Sequence, residues 1–232
     1  MIKEVLEQVV REDLAELWSV LTTDEKRLVT ENFTLHHFKK NQIIYAEHDK
    51  PEMLWCLIKG KVKKSKDGIG GRSQIIRLIR PVQYFGYRAY FAGELYVSSA
   101  TAFEQSTVGT LPLVIVDELI QRNNGVARHF IKELSTNLGN SDTKIVNLTQ
   151  KHIRGRLAEA LILLIENYGF EEDSSTLKIY MSREDLANLS NMTTANAIRT
   201  LSSFVSERLI TVDGRRICIL NEDALHKISR YG

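Results

Sequence analysis

Thr193, Thr194, Ala195 and Asn196 open a helix with small or polar residues, and Arg199 follows one turn later. A helix that only packed into a core would not need such an opening. Small side chains let a helix end approach a groove closely, where base edges are read. The chemistry on offer is hydrogen-bonded recognition. Residues for other chemistry are sparse. Cys56 and Cys218 lie far apart, so no disulfide framework or multi-cysteine metal site can form within one chain. His36 and His37 are adjacent, and adjacent strand residues point to opposite faces, so they make a poor chelating pair. No metal site is expected. A metal-dependent cupin-like enzyme, one alternative for a β-rich chain, would want a His-x-His pair that the chain lacks.

The elements around that opening are legible. Ser182 followed by Asp185 reads as a capping-box-like helix start, with Leu186 and Leu189 facing inward. Asn191 sits where a turn needs the left-handed conformation. Thr193 is the expected cap of the second helix. Ala197, Ile198, Leu201, Phe204 and Val205 are its expected buried stripe, leaving Thr194, Ala195, Asn196, Arg199 and Ser202 or Ser203 outside. The runs LITV and RRICIL flank Asp213-Gly214, a hairpin signal. Upstream, a helix is expected over roughly 153–168, with Gly169 as its C-cap. The order helix, helix, helix, hairpin is a winged helix-turn-helix.

Before residue 33 the pattern reads as helices, with Thr22 or Thr23 as a cap. From about 33 to 112, short apolar runs such as MLWCLI, SQIIRLIR and STVGTLPLVIV alternate with glycine-bearing turns, which suggests a closed or rolled β-structure. The basic run KGKVKKSK reads as a solvated strand-turn face. Ala127, Ile131, Leu134, Leu138, Ser141, Ile145 and Leu148 then step by alternating fours and threes, a heptad seam. Its narrowness favours a self-pairing dimer helix, with Ile131, Leu134, Leu138, Ile145 and Leu148 at the interface. A helix packed on its own β-domain is the alternative.

With these segments in order, the chain resembles the Crp/Fnr superfamily of bacterial transcription regulators over nearly its whole length. The resemblance rests on SREDLANL, IRTLSSF, Leu209-Ile210 and the wing, on the junction KIVNLTQKHIRGRLAEALILL, and on DKPEMLWCLIKGKVK with Gly60 in a turn. It implies an α+β fold. A jelly-roll-like β-roll (double-stranded β-helix) with flanking helices is expected over 1–123, a dimerisation helix over 124–152 and a winged helix-turn-helix over 153–232. It also implies that Thr194, Ala195 and Arg199 occupy base-reading positions. Many relatives carry glutamate at the Ala195 position, so the half-site is expected to differ. Arg199 can bond a guanine in two places. The expected DNA-contact set is Arg154, Ser182, Thr193, Thr194, Ala195, Asn196, Arg199 and Arg215. Double-stranded DNA with an inverted repeat, a second copy of the chain and RNA polymerase are the expected partners.

The same resemblance bears on the β-roll. Cyclic-nucleotide binders of the family anchor the ribose with glutamate after a glycine, and the phosphate with arginine before a serine or threonine. Here Gly86 and Ser99 match, but Tyr87 and Ser98 stand at the two anchoring positions. Cyclic AMP is therefore not the expected effector, and no cofactor is assigned. The expected pocket comprises Gly86, Tyr87, Arg88, Ser98, Ser99 and Ser141. An iron-sulfur sensor would need about four cysteines.

Composition agrees with a globular protein: hydrophobic content is 43% and net charge +2. The N-terminus lacks a signal-peptide pattern and no run is long enough to cross a bilayer, so a cytoplasmic location without membrane contact is expected. From Arg156 onward, nine basic residues face eleven acidic ones. Nucleic-acid binding needs local positive surface. Lys144, Lys151, Arg154 and Arg156 supply it in a stretch without acids, as do Arg215 and Arg216 at the wing. The acidic balance leaves one further alternative, a winged-helix protein that binds RNA or another protein.

Overall fold

The structure, a computed structural model, describes residues 15–231 except residue 69. Helix expected before residue 15 lies outside the described residues. Two compact units emerge: one runs to Asp67 and resumes over Ile76–Gly139, and the other takes Gly68–Ile75 and the chain from Asn140.

In the first unit, α1 (Ala15–Val20) and α2 (Thr23–Asn32) precede eight strands, of which β5 begins in the second unit's segment Gly68–Ile75. Thr22 caps α2 in a capping box completed by Glu25. The strands are β1 (Thr34–Phe38), β2 (Ile43–Tyr45), β3 (Met53–Lys59), β4 (Val62–Asp67), β5 (Ser73–Ile79), β6 (Tyr84–Phe85), β7 (Ser99–Ala102) and β8 (Ser106–Pro112). They form two four-stranded sheets, ordered β1-β8-β3-β6 and β2-β7-β4-β5. Alternation drives the packing: β7 buries Ala100 and Ala102, and β8 buries Val108. Gly60 turns the chain at φ 97°, and a Cβ there would lie 2.4 Å from Ser106 Oγ. The short helix α3 (Tyr87–Phe91) interrupts the strands.

The run STVGTLPLVIV does not stay extended. The strand ends at Pro112, and Leu113–Arg122 forms α4. Leu113, Val116 and Leu119 are buried at three-residue spacing, a helical period hidden in a short apolar run. The long helix α5 (Asn124–Gln150) follows, with Val126 and Phe130 in the first unit's core.

The second unit contains α6 (Ile153–Tyr168), closed by Gly169 at φ 66°, then α7 (Arg183–Leu189) and α8 (Thr194–Ser206). The hairpin β9 (Ile210–Asp213) and β10 (Arg216–Ile219) comes next. Its turn residues are Gly214 and Arg215, one position later than Asp213-Gly214. Leu157, Leu161, Leu186, Ala197, Leu201 and Phe204 are buried in this unit. The buried stripe of α8 is narrower than its sequence suggests: Ile198 and Val205 are 47% and 40% exposed, and Thr200 is buried instead. A further helix, α9 (Glu222–Tyr231), packs on α6 through buried Leu225. Asn221 Oδ1 caps it by accepting from Ala224 N at 2.9 Å.

Candidate nucleic-acid interface and ligand site

Local chemistry sets the geometry of the helix pair α7 and α8. Ser182 Oγ accepts from Asp185 N at 3.0 Å and starts α7. Asn191 takes φ 51° in the turn, beside buried Ser190 and Met192. Thr193 Oγ1 accepts from Asn196 N at 3.2 Å and starts α8. Two of the expected contact residues therefore serve as caps. The Ser182 hydroxyl also donates to Asp185 Oδ2 at 2.7 Å, so its proton is taken. Thr194, Ala195 and Arg199 are exposed, and Asn196 is half-buried. Ala195, Arg199 and Ser202 share one outward face at helical spacing. Arg199 donates to Asn196 Oδ1 at 2.5 Å, which lays the guanidinium along the first turn of α8.

Arg154, an expected DNA contact, forks onto Glu207: both of its terminal nitrogens donate to the carboxylate at 2.7 Å. It also donates to Ser203 Oγ and lies over the Phe204 ring, 5.1 Å from its centre. The Arg154 guanidinium and the Ser203 hydroxyl hold the Glu207 carboxyl at about 2. The rest of the basic stretch is engaged as well. Lys144 donates to Ile75 O, Lys151 pairs with Glu159 at 3.0 Å, and Arg156 donates to Asn191 O at 2.9 Å. At the wing, Arg215 is exposed. Arg216 lies over Tyr180, and Arg183 donates to Gly214 O at 2.8 Å, tying α7 to the hairpin turn.

In the first unit, Gly86 stands at φ 89°, where a Cβ would lie 2.4 Å from Trp55 Cδ1. Tyr87 packs its ring into the core. It is 3% exposed and packs on Phe130 at 5.3 Å. Its hydroxyl accepts from Asn137 Nδ2 at 3.1 Å and bonds Arg77, and burial pushes it up to about 12. Arg88 is half-exposed and pairs with Glu94 at 2.9 Å. Ser98 is buried, and Ser99 Oγ accepts from Glu47 N at 2.9 Å. Ser141 is exposed on α5 and belongs to the second unit.

The basic run KGKVKKSK is a solvated face only in part: Lys59 and Lys66 are exposed, and Lys61, Lys63 and Lys64 are half-buried. Lys61 pairs with Glu104 at 2.9 Å, Lys63 lies over Phe103, and Lys66 pairs with Glu47. Lys64 is partly buried, and burial followed by the charges of Arg77 and Arg88 pushes it down to about 8. Sequence reasoning missed both Lys64 and Arg77.

On α5, Ile131, Leu138 and Ile145 are 62%, 64% and 61% exposed at seven-residue intervals. Leu134 is different. It packs against the first unit's own core, as the alternative reading of the seam expects at that position. Leu148 is half-buried. Among the described residues, no cluster of His, Cys, Asp and Glu could hold a metal, and no helix is long and apolar enough to cross a membrane.

Comparison with known proteins places these units. The cyclic nucleotide-binding domain model matches residues 35–123, and the Crp-like helix-turn-helix domain model matches residues 155–228. The CRP-like cAMP-activated global transcriptional regulator of Mycobacterium tuberculosis is 21% identical over 194 residues, 83% of this chain and 87% of that protein. The regulatory protein HlyX of Actinobacillus pleuropneumoniae is 28% identical over 189 residues, 81% of this chain and 78% of that one. A solved transcriptional regulator of the crp/fnr family from Eubacterium rectale shares the fold with a TM-score of 0.78 at 19% identity, covering 92% of this chain and 97% of that one. FixK2 from Bradyrhizobium japonicum gives 0.76 at 22% identity, over 84% and 96%.

Proposed function

The chain belongs to the Crp/Fnr superfamily of transcription regulators, and we propose that it acts in the cytoplasm as a homodimer on an inverted-repeat DNA site. It is a DNA-binding regulator rather than an enzyme. The observation that carries the reading is the exposed opening of α8, where Thr194 and Ala195 leave room and Arg199 stands on the outer face. Arg199 reads a base edge, most simply the O6 and N7 of a guanine. Thr194 and Asn196 contact neighbouring bases or phosphate, and Arg215 meets the backbone from the wing. Arg154 joins them only by leaving Glu207.

The exposed line Ile131, Leu138 and Ile145 pairs with its symmetry mate and buries apolar area that one chain leaves in water. A two-fold dimer presents two α8 helices about one helical turn, roughly 34 Å, apart, which is why an inverted repeat is the matching site. The DNA-bound dimer then engages RNA polymerase. The first unit acts as the sensor. Tyr87 is core and Ser98 carries no charge, so the ribose and phosphate anchors of a cyclic nucleotide are missing, and cyclic AMP is not the effector.

Selection of bound fragments from a randomised duplex pool tests this reading. Enrichment of an inverted repeat with half-sites about one turn apart is the expected result. Failure to enrich any duplex, with retention of RNA instead, would refute it.

A further inference from the structure

Lys64 of β4 stands directly opposite Ala100 of β7. Opposite residues of an antiparallel pair share a face. Ala100 belongs to the roll's core cluster, as does Val62 two positions before Lys64, so Lys64 lies on the inner face. On the neighbouring strand β5, Arg77 sits between buried Ile75 and Ile79 at two-residue spacing, which turns it to the same interior. Arg88 on α3 is close enough to act on Lys64 together with Arg77.

Among the described residues, neither Lys64 nor Arg77 pairs with a carboxylate. The charges that act on Lys64 are those of Arg77 and Arg88, both positive. Arg77 bonds the Tyr87 hydroxyl, a neutral group. Glu94 pairs with Arg88 at 2.9 Å, and Glu133 acts on Tyr87 and His129 rather than on Lys64. Inward cations without a counter-charge are costly, and an interior that holds them is built for an anion.

We propose that the inner face of the roll, at Lys64, Arg77 and Arg88, binds a compact dianion of carboxylate or phosphate type. Three cations less the Glu94 carboxylate leave two positive charges for the ligand to match. Tyr45 and Tyr87 stay protonated through burial and supply neutral donors at the edge. The ligand is compact because the neighbouring interior is filled. Tyr45 stacks on Tyr96 at 3.8 Å, and the Trp55 indole N–H donates to the Tyr96 hydroxyl at 3.4 Å. This deepens the sensor reading and rests on it, but its test reads no DNA binding, so either reading can fail without the other.

The test uses the full chain in a chloride buffer, by titration calorimetry and thermal unfolding. The probes are inorganic phosphate, glycerol 3-phosphate, malate and citrate, with cyclic AMP for comparison. Saturable binding by a phosphate or a carboxylate probe below millimolar concentration is expected, and the two arms tell which chemistry the site prefers. Lys64→Met and Arg77→Gln should each weaken that binding by more than about tenfold, the loss of one charge-assisted hydrogen bond. Lys64→Met should also raise the unfolding temperature of the ligand-free protein, because it removes an unmatched charge. That readout needs no ligand and stands even if Arg77→Gln fails to fold. Three results would overturn the proposal: no probe that saturates at millimolar concentration, undiminished affinity in Lys64→Met, or a lower ligand-free unfolding temperature for that variant.

Discussion

The two units treat positive charge in opposite ways. In the second, the cations near α8 rest on oxygens of their own chain: Arg154 on Glu207, Arg156 on Asn191 O, Arg183 on Gly214 O and Arg199 on Asn196. In the first, Lys64 and Arg77 turn to the interior, and among the described residues neither pairs with a carboxylate. A cation parked on an exposed neighbour exchanges that partner for a phosphate or a base at small cost, since surface pairs contribute about 0–1 kcal/mol. A cation held inside without a partner keeps a standing penalty that only a bound anion removes. One arrangement suits a surface that must bind and release a long polyanion. The other suits a site that responds to a small one.

Leu138→Glu puts a charge at the centre of the exposed α5 line and should convert dimers wholly to monomers by sedimentation, with loss of binding to a two-half-site duplex. A variant that stays dimeric would move the interface off α5. Phe204→Ala removes a fully buried ring and the surface on which Arg154 lies, and should cost about 3–5 kcal/mol in denaturant unfolding. A loss below 1 kcal/mol would mean that the core of the second unit is elsewhere.

Glu207→Gln sharpens the contrast with a smaller effect. It frees Arg154, so DNA affinity should rise for all sequences alike and the salt dependence should steepen by about one unit. Unchanged salt dependence would show that Arg154 does not reach the backbone.

The subtlest effect is on pH. Lys64 titrates near 8 in the folded chain, below its ordinary value of 10.5. The unfolded chain holds that proton above pH 8 and the folded one does not, so this group makes stability rise with pH from about 8 to 10.5. The advantage of Lys64→Met in ligand-free unfolding should therefore shrink across that window. Affinity for the dianion should fall above pH 8 as the cation is lost. Among the described residues, the charges that act on Lys64 are those of Arg77 and Arg88, with Glu94 on Arg88. An advantage that does not vary with pH would separate Lys64 from the effect.

What the sequence reveals follows the range of each interaction. Ser182, Asn191, Thr193 and Gly169 act within four residues, and the helix ends they set stand where the spacing places them. The pairing of Arg154 with Glu207 spans 53 positions, and no local pattern announces it. The stripe of α8 is narrower than its sequence pattern because Ile198 and Val205 flank the buried line. The helix α9 carried its own signal in Asn221, Glu222 and Asp223, which as bare composition reads only as an acidic tail. Lys64 hid in a run of lysines. Only the cross-strand register that sets it opposite Ala100 shows which of them turns inward.

The central claim is that the outer face of α8 reads bases. It is tested most directly by measuring, at two salt concentrations, the affinity of the wild type and of Arg199→Ala for the selected inverted repeat and for every single-base variant of it. The account predicts a loss of about 1–3 kcal/mol on the selected site, with preference relaxed at one position in each half-site. Equal weakening on all variants, with the salt slope reduced by about one unit, would place Arg199 on phosphate and contradict it.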